Sequence, residues 1–528
     1  MAQTVLRSAV VIMIVTLVGR VVGLLREMLL ANSFAVGFEA DVYRYAFAIP
    51  NTIFLFVPGA LNAIFVPSIK SMLVENRQEE ARTLFRKMLT VITIIYFIIM
   101  VLGMVFSREI MQAMTFMQQG SEAITPQQRA EQLEMGTRML QIMWPSAVFI
   151  GLIGVFQATL NAHQQFFIPQ VSTVINAIVV CIAYPLFVPF YDIYGVAIGT
   201  TLGFLFAAAS MVYSIRKEQY SLKLDFAWNT VEMRKIGERF IPIMLGSLVT
   251  QVYSFIHPVL ASGLGEGRVA ALGYANIIYQ LPMAIFVAAF TLPIYPYLVE
   301  YFTKNEMDKM KRAITEGMQY LFILMVPVIV ALAVIPEQLV SLLFYRGGAG
   351  KFDLEAVTLT ATALMFLGLG LFFLAARDLL TRAFYAMENT KITVIAAVIG
   401  ILVNIASSLV FMPYLSHGGV ALGTTVGSLV NMLVLSFFLR RHIGPFIQRS
   451  FWVTAVKTVA GAIVMGAVLY AATAFVSLQG VWIQKIYTVF LIGAGAGLFF
   501  AVLVLLREPL ALQIIERFAG KLLKRKRG

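Results

Sequence analysis

One cysteine and four histidines are all that 528 residues offer of thiol and imidazole ligands, and only 13% of the chain is charged. The lone Cys181 excludes a disulfide within the chain, and its place in the apolar run "VSTVINAIVVCIAYPLFV" gives it a packing role rather than redox chemistry. His163, His257, His417 and His442 stand on separate segments without ligand spacing, so ordinary polar contacts are expected of them and no metal is implied. No Walker A sequence, no Gly-x-Ser-x-Gly and no zinc motif occurs. Nucleotide hydrolysis and covalent catalysis therefore have no carrier; neither an enzyme nor a cofactor is expected.

What is present is hydrocarbon. Hydrophobic residues make up 60% of the chain and its mean hydropathy is +0.85, outside the range of soluble domains. Apolar stretches recur to the end, unlike a cleaved signal followed by a soluble chain. At about 20 apolar residues per crossing, the sequence reads as an all-α polytopic membrane protein with fourteen transmembrane helices. They lie at 9–31, 42–69, 88–107, 138–161, 167–190, 194–215, 239–262, 269–300, 316–335, 356–384, 391–413, 418–439, 453–476 and 483–506. The net charge of +13 belongs to the loops and to the tail "KLLKRKRG", a pattern that suits an anionic membrane surface better than nucleic acid. Alternation places Arg77, Arg82, Arg86, Lys87, Arg216, Lys217, Lys223, Lys309, Lys311 and the tail on one side, whereas "ANSFAVGFEAD" and "FYDIYG" on the other hold no Lys or Arg. The positive-inside rule makes the basic side, and both termini, cytoplasmic.

The chain repeats itself. "GVAIGTTLG" from Gly195 returns as "GVALGTTVG" from Gly419, 224 residues on, and the same offset pairs "LNAHQQFFIP" with "FYAMENTKIT". A looser match at offset 232 aligns Pro50 with Pro282 and Ile53-Phe54 with Ile285-Phe286. An even number of spans per copy gives both copies one orientation. The expectation is two six-helix bundles related by a parallel pseudo-two-fold repeat, 1–220 and 221–445, with two extra C-terminal helices and a basic tail in 446–528. The Gly-Thr motif is expected to serve close helix packing. Prolines Pro50, Pro58 and Pro67 in span 2 and Pro282, Pro293 and Pro296 in span 8 occupy corresponding places and predict hinges.

Charges inside the spans are costly, at about 2.5–3.5 kcal/mol each on insertion scales. Span 1 carries Arg20, Arg26 and Glu27; the two arginines are six residues apart and so roughly 120° apart around a helix. Pairing of Arg26 with Glu27 is the structural alternative to a ligand role, and an unpaired inward guanidinium suits a phosphate, which it grips with two parallel hydrogen bonds. Asp41 and Arg44 open span 2, either as a solvated rim or as a gate. Arg377, Asp378 and Arg382 in span 10 are spaced for an intrahelical Asp378–Arg382 pair.

The stretches "GRVVGLLREMLLANSFAVGFEADVYRYAFAIPN", "GALNAIFVPSIK" and "RAFYAMENTK" resemble the MurJ-type lipid II flippases of the multidrug/oligosaccharidyl-lipid/polysaccharide exporter superfamily, and the resemblance covers essentially the whole chain. It implies movement of the undecaprenyl-pyrophosphate-linked peptidoglycan precursor, lipid II, from the inner to the outer leaflet of a bacterial plasma membrane by alternating access. It also implies that Arg20 and Arg26 line the cavity and meet the pyrophosphate. Glu27 stands where the family often has Asp, Asp41 matches the acid opening span 2, and the extra helix pair forms a groove for the lipid tail. The chain departs from the family in "PNTIFLF", where an arginine commonly follows Pro-Asn, and in "YANII", where Asn276 and Ile277 replace an acid and an arginine. Arg44 is a candidate substitute for the first. Asn404 and Ser408 stand in span 11 where sodium-binding members carry an acid.

The substrate-binding set expected is therefore Arg20, Arg26, Glu27, Asp41 and Arg44, in an expected monomer whose partners are lipid II and membrane lipids, not nucleic acid. Membrane potential or a cation gradient is the energy source. Three other readings stay open: a flippase for teichoic or exopolysaccharide units, a cation-coupled drug antiporter, and a non-transporting scaffold.

Overall fold

The computed structural model describes residues 2–118, 122–230, 232–234, 236–238, 240, 255–476, 478 and 480–513. No strand occurs among the described residues. Eleven of their helices are long and apolar enough to cross a membrane, and a twelfth if Leu354–Gly368 and Leu371–Ala386, bent by 44° at their junction, form one span. The first expected span falls within a further helix, Ala2–Phe34. Most of the expected span at 239–262 lies outside the described residues; its end is a short apolar helix, Phe255–Leu264.

The chain divides into two compact units, Met1–Ala270 and Ala271–Gly528. The first contains α1 (Ala2–Phe34), α2 (Phe38–Val74), α3 (Gln78–Val105), α4 (Ser107–Met114), α5 (Pro126–Met143), α6 (Ser146–Ala162), α7 (Phe167–Tyr191) and α8 (Ile193–Lys217). Here α2 packs on α6, α7 on α8, and α1 along α7 rather than along α2. A second tie between α2 and α6 is polar: Asn161 Nδ2 donates to Asn62 Oδ1 at 2.6 Å. Helix α5 starts at a capping box in which Thr125 and Gln128 satisfy each other's backbone N–H groups, with Pro126 at the first helical position.

Helix α9 (Arg268–Pro282) begins at the junction between the units. Beyond it come α10 (Ala288–Thr303), α11 (Met307–Val334), α12 (Pro336–Leu343), α13 (Leu354–Gly368), α14 (Leu371–Ala386), α15 (Thr390–Leu415), α16 (His417–Ile443), α17 (Arg449–Phe475) and α18 (Val481–Leu505). In the second unit α15 packs on α16, and α11 packs on α17, which in turn meets α18 through Leu469, Leu491 and Phe499. Tyr274, Phe344 and Phe352 form a buried aromatic cluster with ring centroids 5.1–5.7 Å apart. The proline positions behave differently in the two units. Pro50, Pro58 and Pro67 sit inside one continuous α2, whereas Pro282 ends α9 and a π-helical turn, Met283–Val287, leads into α10. A π turn leaves backbone groups out of register and is a natural place for a helix to flex.

The duplicated motif has the same local setting in each unit. A Cβ on Gly195 would lie 2.6 Å from the Phe187 carbonyl carbon, and one on Gly419 would lie 2.5 Å from that of Phe411. Thr201 Oγ1 donates to the Ile142 carbonyl at 2.8 Å, and Thr425 Oγ1 to the Phe366 carbonyl at 2.7 Å. Asp192 and Ser416, the residues at which the helices turn back, share a left-handed backbone with φ of 50° and 51°. The glycines thus let one helix touch the backbone of its predecessor, and the threonines fasten the pair to a third helix. Interaction of this kind replaces the hydrophobic effect, which does not drive helices together in lipid. Gly419→Ala is expected to cost about 1–3 kcal/mol by overpacking, read as an earlier melt of the purified protein; a melt equal to wild type would show that the α15–α16 contact yields freely.

Candidate functional site

The first unit concentrates the intramembrane charges at the α1–α2 corner. Glu27, 3% exposed, takes a hydrogen bond from Arg26 Nη2 at 2.7 Å and another from Arg44 Nη2 at 2.6 Å, so one carboxylate serves two guanidiniums. The Arg26 guanidinium also lies 5.3 Å from the centroid of the Phe47 ring, which stacks on Tyr43. A buried charge needs this degree of pairing, because desolvation of a lone ion costs several kcal/mol. Arg26 is thus engaged by its neighbour, the arrangement the sequence left as an alternative, and Arg44 joins it from a helix turn that the sequence could not place.

Arg20 differs. It is exposed, beside exposed Leu17, Val18 and Val21, and no carboxylate among the described residues lies within ion-pair distance of it. The opposite side of α1 is covered by α7: a Cβ on Gly19 would touch Val174 at 3.4 Å, and Cys181 Sγ lies 3.9 Å from the Val22 carbonyl oxygen. Of these three guanidiniums, Arg26 and Arg44 share Glu27, whereas Arg20, six residues earlier on α1, meets no carboxylate within ion-pair distance among the described residues. That residual charge is available to a phosphate, with which a guanidinium forms its strongest paired hydrogen bonds.

Asp41 does other work. It is 1% exposed, and its Oδ2 and Oδ1 accept the backbone N–H groups of Gly267 and Ala270, each at 2.6 Å. In return Glu266 Oε1 accepts the N–H of Phe38, the first residue of α2, at 3.0 Å. Two helix N-termini are thus capped by carboxylates from one another's chain segments, which satisfies orphan donors and opposes the positive end of each dipole. All five residues lie within Met1–Ala270. Gly267, with φ of +79°, has the Val36 carbonyl oxygen where a Cβ would stand, so the junction admits only glycine there. The residues Gly265-Glu266-Gly267 were not singled out in the sequence, although a Gly-acid-Gly run ahead of an apolar helix is a helix-start signal.

The other candidates are accounted for locally. Arg382 Nε pairs with Asp378 Oδ2 at 3.3 Å, as the spacing predicts. Ser408 Oγ donates to Asn404 Oδ1 at 3.1 Å; both are fully buried, and this neutral pair contains no carboxylate. His417 contacts the Leu359 carbonyl and His442 that of Phe438, each at 2.8 Å. At the basic end, His163 meets the Tyr220 hydroxyl at 2.9 Å and Glu218 at 3.3 Å. Burial holds the His163 imidazole below its ordinary value against the pull of Glu218, and pushes the Tyr220 phenol up to about 12.

With that geometry, the relationships become interpretable. The sequence profile of the family described as "Lipid II flippase MurJ" matches residues 30–491. The chain belongs to this family. A relative from Burkholderia cenocepacia, the "Lipid II flippase MurJ", is 26% identical over 494 residues, covering 92% of this chain and 93% of the relative. The "Probable lipid II flippase MurJ" of Buchnera aphidicola is 24% identical over 490 residues, covering 92% and 94%. Among solved structures, "Lipid II flippase MurJ, inward closed conformation" superposes with a TM-score of 0.77 at 23% identity, over 94% of this chain and all of that one. An inward-facing multidrug resistance MATE family transporter of the MOP superfamily gives 0.67 at 15% identity, over 82% and 98%. The family resemblance read from span 1 therefore holds, and the chain has the fold of these transporters: an all-helical, multi-pass membrane protein.

Two outcomes test the roles of the polar groups. Asp41→Asn replaces an acceptor with a donor opposite a backbone N–H and is expected to cost about 1–3 kcal/mol, seen as an earlier melt; an unchanged melt would remove Asp41 from the cap. Because the folded state lowers the His163 value, the stability that neutral His163 carries is full above its ordinary value of 6.5 and is lost as pH falls through the lowered one. His163→Gln is expected to flatten the fall in melting temperature below pH 6.5; an equally steep fall would assign the dependence to other groups.

Proposed function

We propose that this protein moves lipid II from the inner to the outer leaflet of a bacterial plasma membrane by alternating access, as a transporter in peptidoglycan synthesis and not as an enzyme. Membership of the lipid II flippase family supports the substrate, and Arg20, with no carboxylate within ion-pair distance among the described residues while Arg26 and Arg44 share Glu27, is the observation that carries the mechanism. Arg20 takes the diphosphate first. Arg26 and Arg44 then exchange part of their bonding to Glu27 for the incoming anion, which lets binding alter the α1–α2 contact. Asp41 and Glu266 act as a latch, since parting the two capped helix starts breaks three backbone-to-carboxylate hydrogen bonds at once.

The architecture proposed is fourteen spans: parallel six-helix bundles at 1–220 and 221–445, and an added pair at 446–528, with both termini cytoplasmic and the protein working as a monomer. The shared settings of Gly195 and Gly419 and of Thr201 and Thr425 support the repeat. The added pair has a clear use. In the second unit an almost wholly apolar cavity of about 830 Å³ lies among Leu281, Phe286, Pro327, Leu342, Met465 and Phe500. Such a slot suits an isoprenoid chain and offers a sugar or peptide nothing.

Flipping carries negative charge away from a negative interior, so the potential favours it by about 2.3 kcal/mol per charge per 100 mV. No coupling cation is needed on that account, and the neutral Asn404–Ser408 pair is in keeping with it. The test is complementation of bacteria depleted of their own lipid II flippase. Wild type is expected to restore growth and Arg20→Ala, at equal abundance, to fail; growth supported equally by both would refute the role of Arg20, and no rescue by well-inserted wild type would refute lipid II as substrate. Dissipating the potential at constant sodium is expected to stop export, and continued export would defeat the charge-driven account.

A further inference from the structure

The second unit contains a polar chamber that substrate transport leaves unused. It has a volume of about 420 Å³ and is lined by Glu337, Ser341, Tyr345, Thr358, Gln484 and Lys485 among others. Leu342 lines both this chamber and the apolar slot. Helix α18 joins them along a single face: Val481, Lys485 and Thr488 border the chamber, and Ile492, Ala496 and Phe500, at the next three- or four-residue steps, border the slot. A hydrocarbon channel therefore opens into a polar mouth.

The mouth carries an unpaired lysine and sits at headgroup level. Neither Lys485 nor Arg346 has a carboxylate within ion-pair distance among the described residues, and each lies in the other's electrostatic range. Glu337 is the acid of the lining, and Thr358 Oγ1 donates to it at 3.4 Å. Lys485 Nζ lies 5.6 Å from the ring centroid of Trp482, an indole 77% exposed three residues nearer the helix start. An exposed indole at the end of a membrane helix marks the interface between hydrocarbon and water.

We infer that this chamber binds the phosphate of an anionic membrane glycerophospholipid whose acyl chain lies in the apolar slot. Lys485, with no carboxylate within ion-pair distance among the described residues, is the lining group that matches a phosphodiester, and the hydroxyls of Ser341, Tyr345 and Thr358 are donors beside it. The chamber admits a small alcohol such as glycerol and has no room for an oligosaccharide. An acyl chain lying in an apolar slot of this size gains dispersion contacts along its walls, and lipid chains are the fluid at hand. The acyl chain also touches Pro282 and Phe286, which flank the start of the π turn, so its presence braces that turn. On the lipid II reading, and only there, the isoprenoid tail displaces this lipid in each cycle.

Native mass spectrometry of the purified full chain tests the site, with phosphatidylglycerol, phosphatidylethanolamine and undecaprenyl phosphate added separately. Phosphatidylglycerol is expected to bind several-fold more tightly than phosphatidylethanolamine. Lys485→Glu is expected to lower its binding roughly tenfold, Lys485→Ala less, and Lys485→Arg hardly at all. Equal binding of phosphatidylglycerol by wild type and by a Lys485→Glu protein of unchanged melting temperature would overturn the site. A preference for undecaprenyl phosphate that Lys485→Ala abolishes would assign the chamber to the isoprenoid substrate and overturn the phospholipid. Neither result depends on growth rescue, so failure of the transport reading would appear separately.

Discussion

A carboxylate that must not be left alone in hydrocarbon organises the functional end of the first unit. Glu27 is buried, and its two oxygens are taken by Arg26 of its own helix and Arg44 of the next. Removing either arginine takes away one of the two ion pairs that hold the buried carboxylate, and removing both would leave it alone in a medium where such ions are costly. The pairing consequently fixes where α2 starts relative to α1, and it withdraws two of three positive charges from use. Arg20 keeps its charge unspent. On the proposed mechanism, a diphosphate meets Arg20 first and then recruits Arg26 and Arg44 by loosening their bonds to Glu27, which couples ligand binding to the α1–α2 contact.

The remainder of the scaffold follows from a second constraint, that every backbone group in a membrane needs a partner inside the protein. Helix ends are where this is hardest, and here Asp41 and Glu266 satisfy the starts of two helices reciprocally. Helix bodies satisfy themselves but must still be held together, and glycines at 195 and 419 do so by letting backbones touch. Thr201 and Thr425 add a hydroxyl bridge to a neighbouring carbonyl in each unit. The same small residues thus recur at the same places because the same two-helix contact is built twice.

Hydropathy alone located the described crossings, since a run of about 20 apolar residues has few other uses. The fixed offset of the Gly-Thr motif foretold a shared contact, and Arg20, Arg26 and Glu27 were visible as charges in the wrong solvent. What lay hidden was tertiary. Nothing in span 1 announces that Glu27 will meet Arg44, and Asp41 has backbone amides for partners, which carry no side-chain signature. Asp41 and Arg44, neighbours in sequence, prove to have separate jobs, one capping a helix and one pairing an acid. The chamber beside Lys485 draws on residues near 337, 358 and 485 that no motif connects. Proline placement predicted bends in both units, yet α2 continues through its three prolines while the break after α9 takes the form of a π turn.

The division of labour among the three arginines is the central claim, and direct binding of undecaprenyl diphosphate to the purified protein tests it. The account predicts that Arg20→Gln weakens binding about tenfold or more with its melting temperature kept, whereas Arg44→Gln melts earlier and loses less affinity than Arg20→Gln, because Arg26 is still there to be recruited. Wild-type binding by Arg20→Gln, or an equal loss of affinity in both variants, would contradict it.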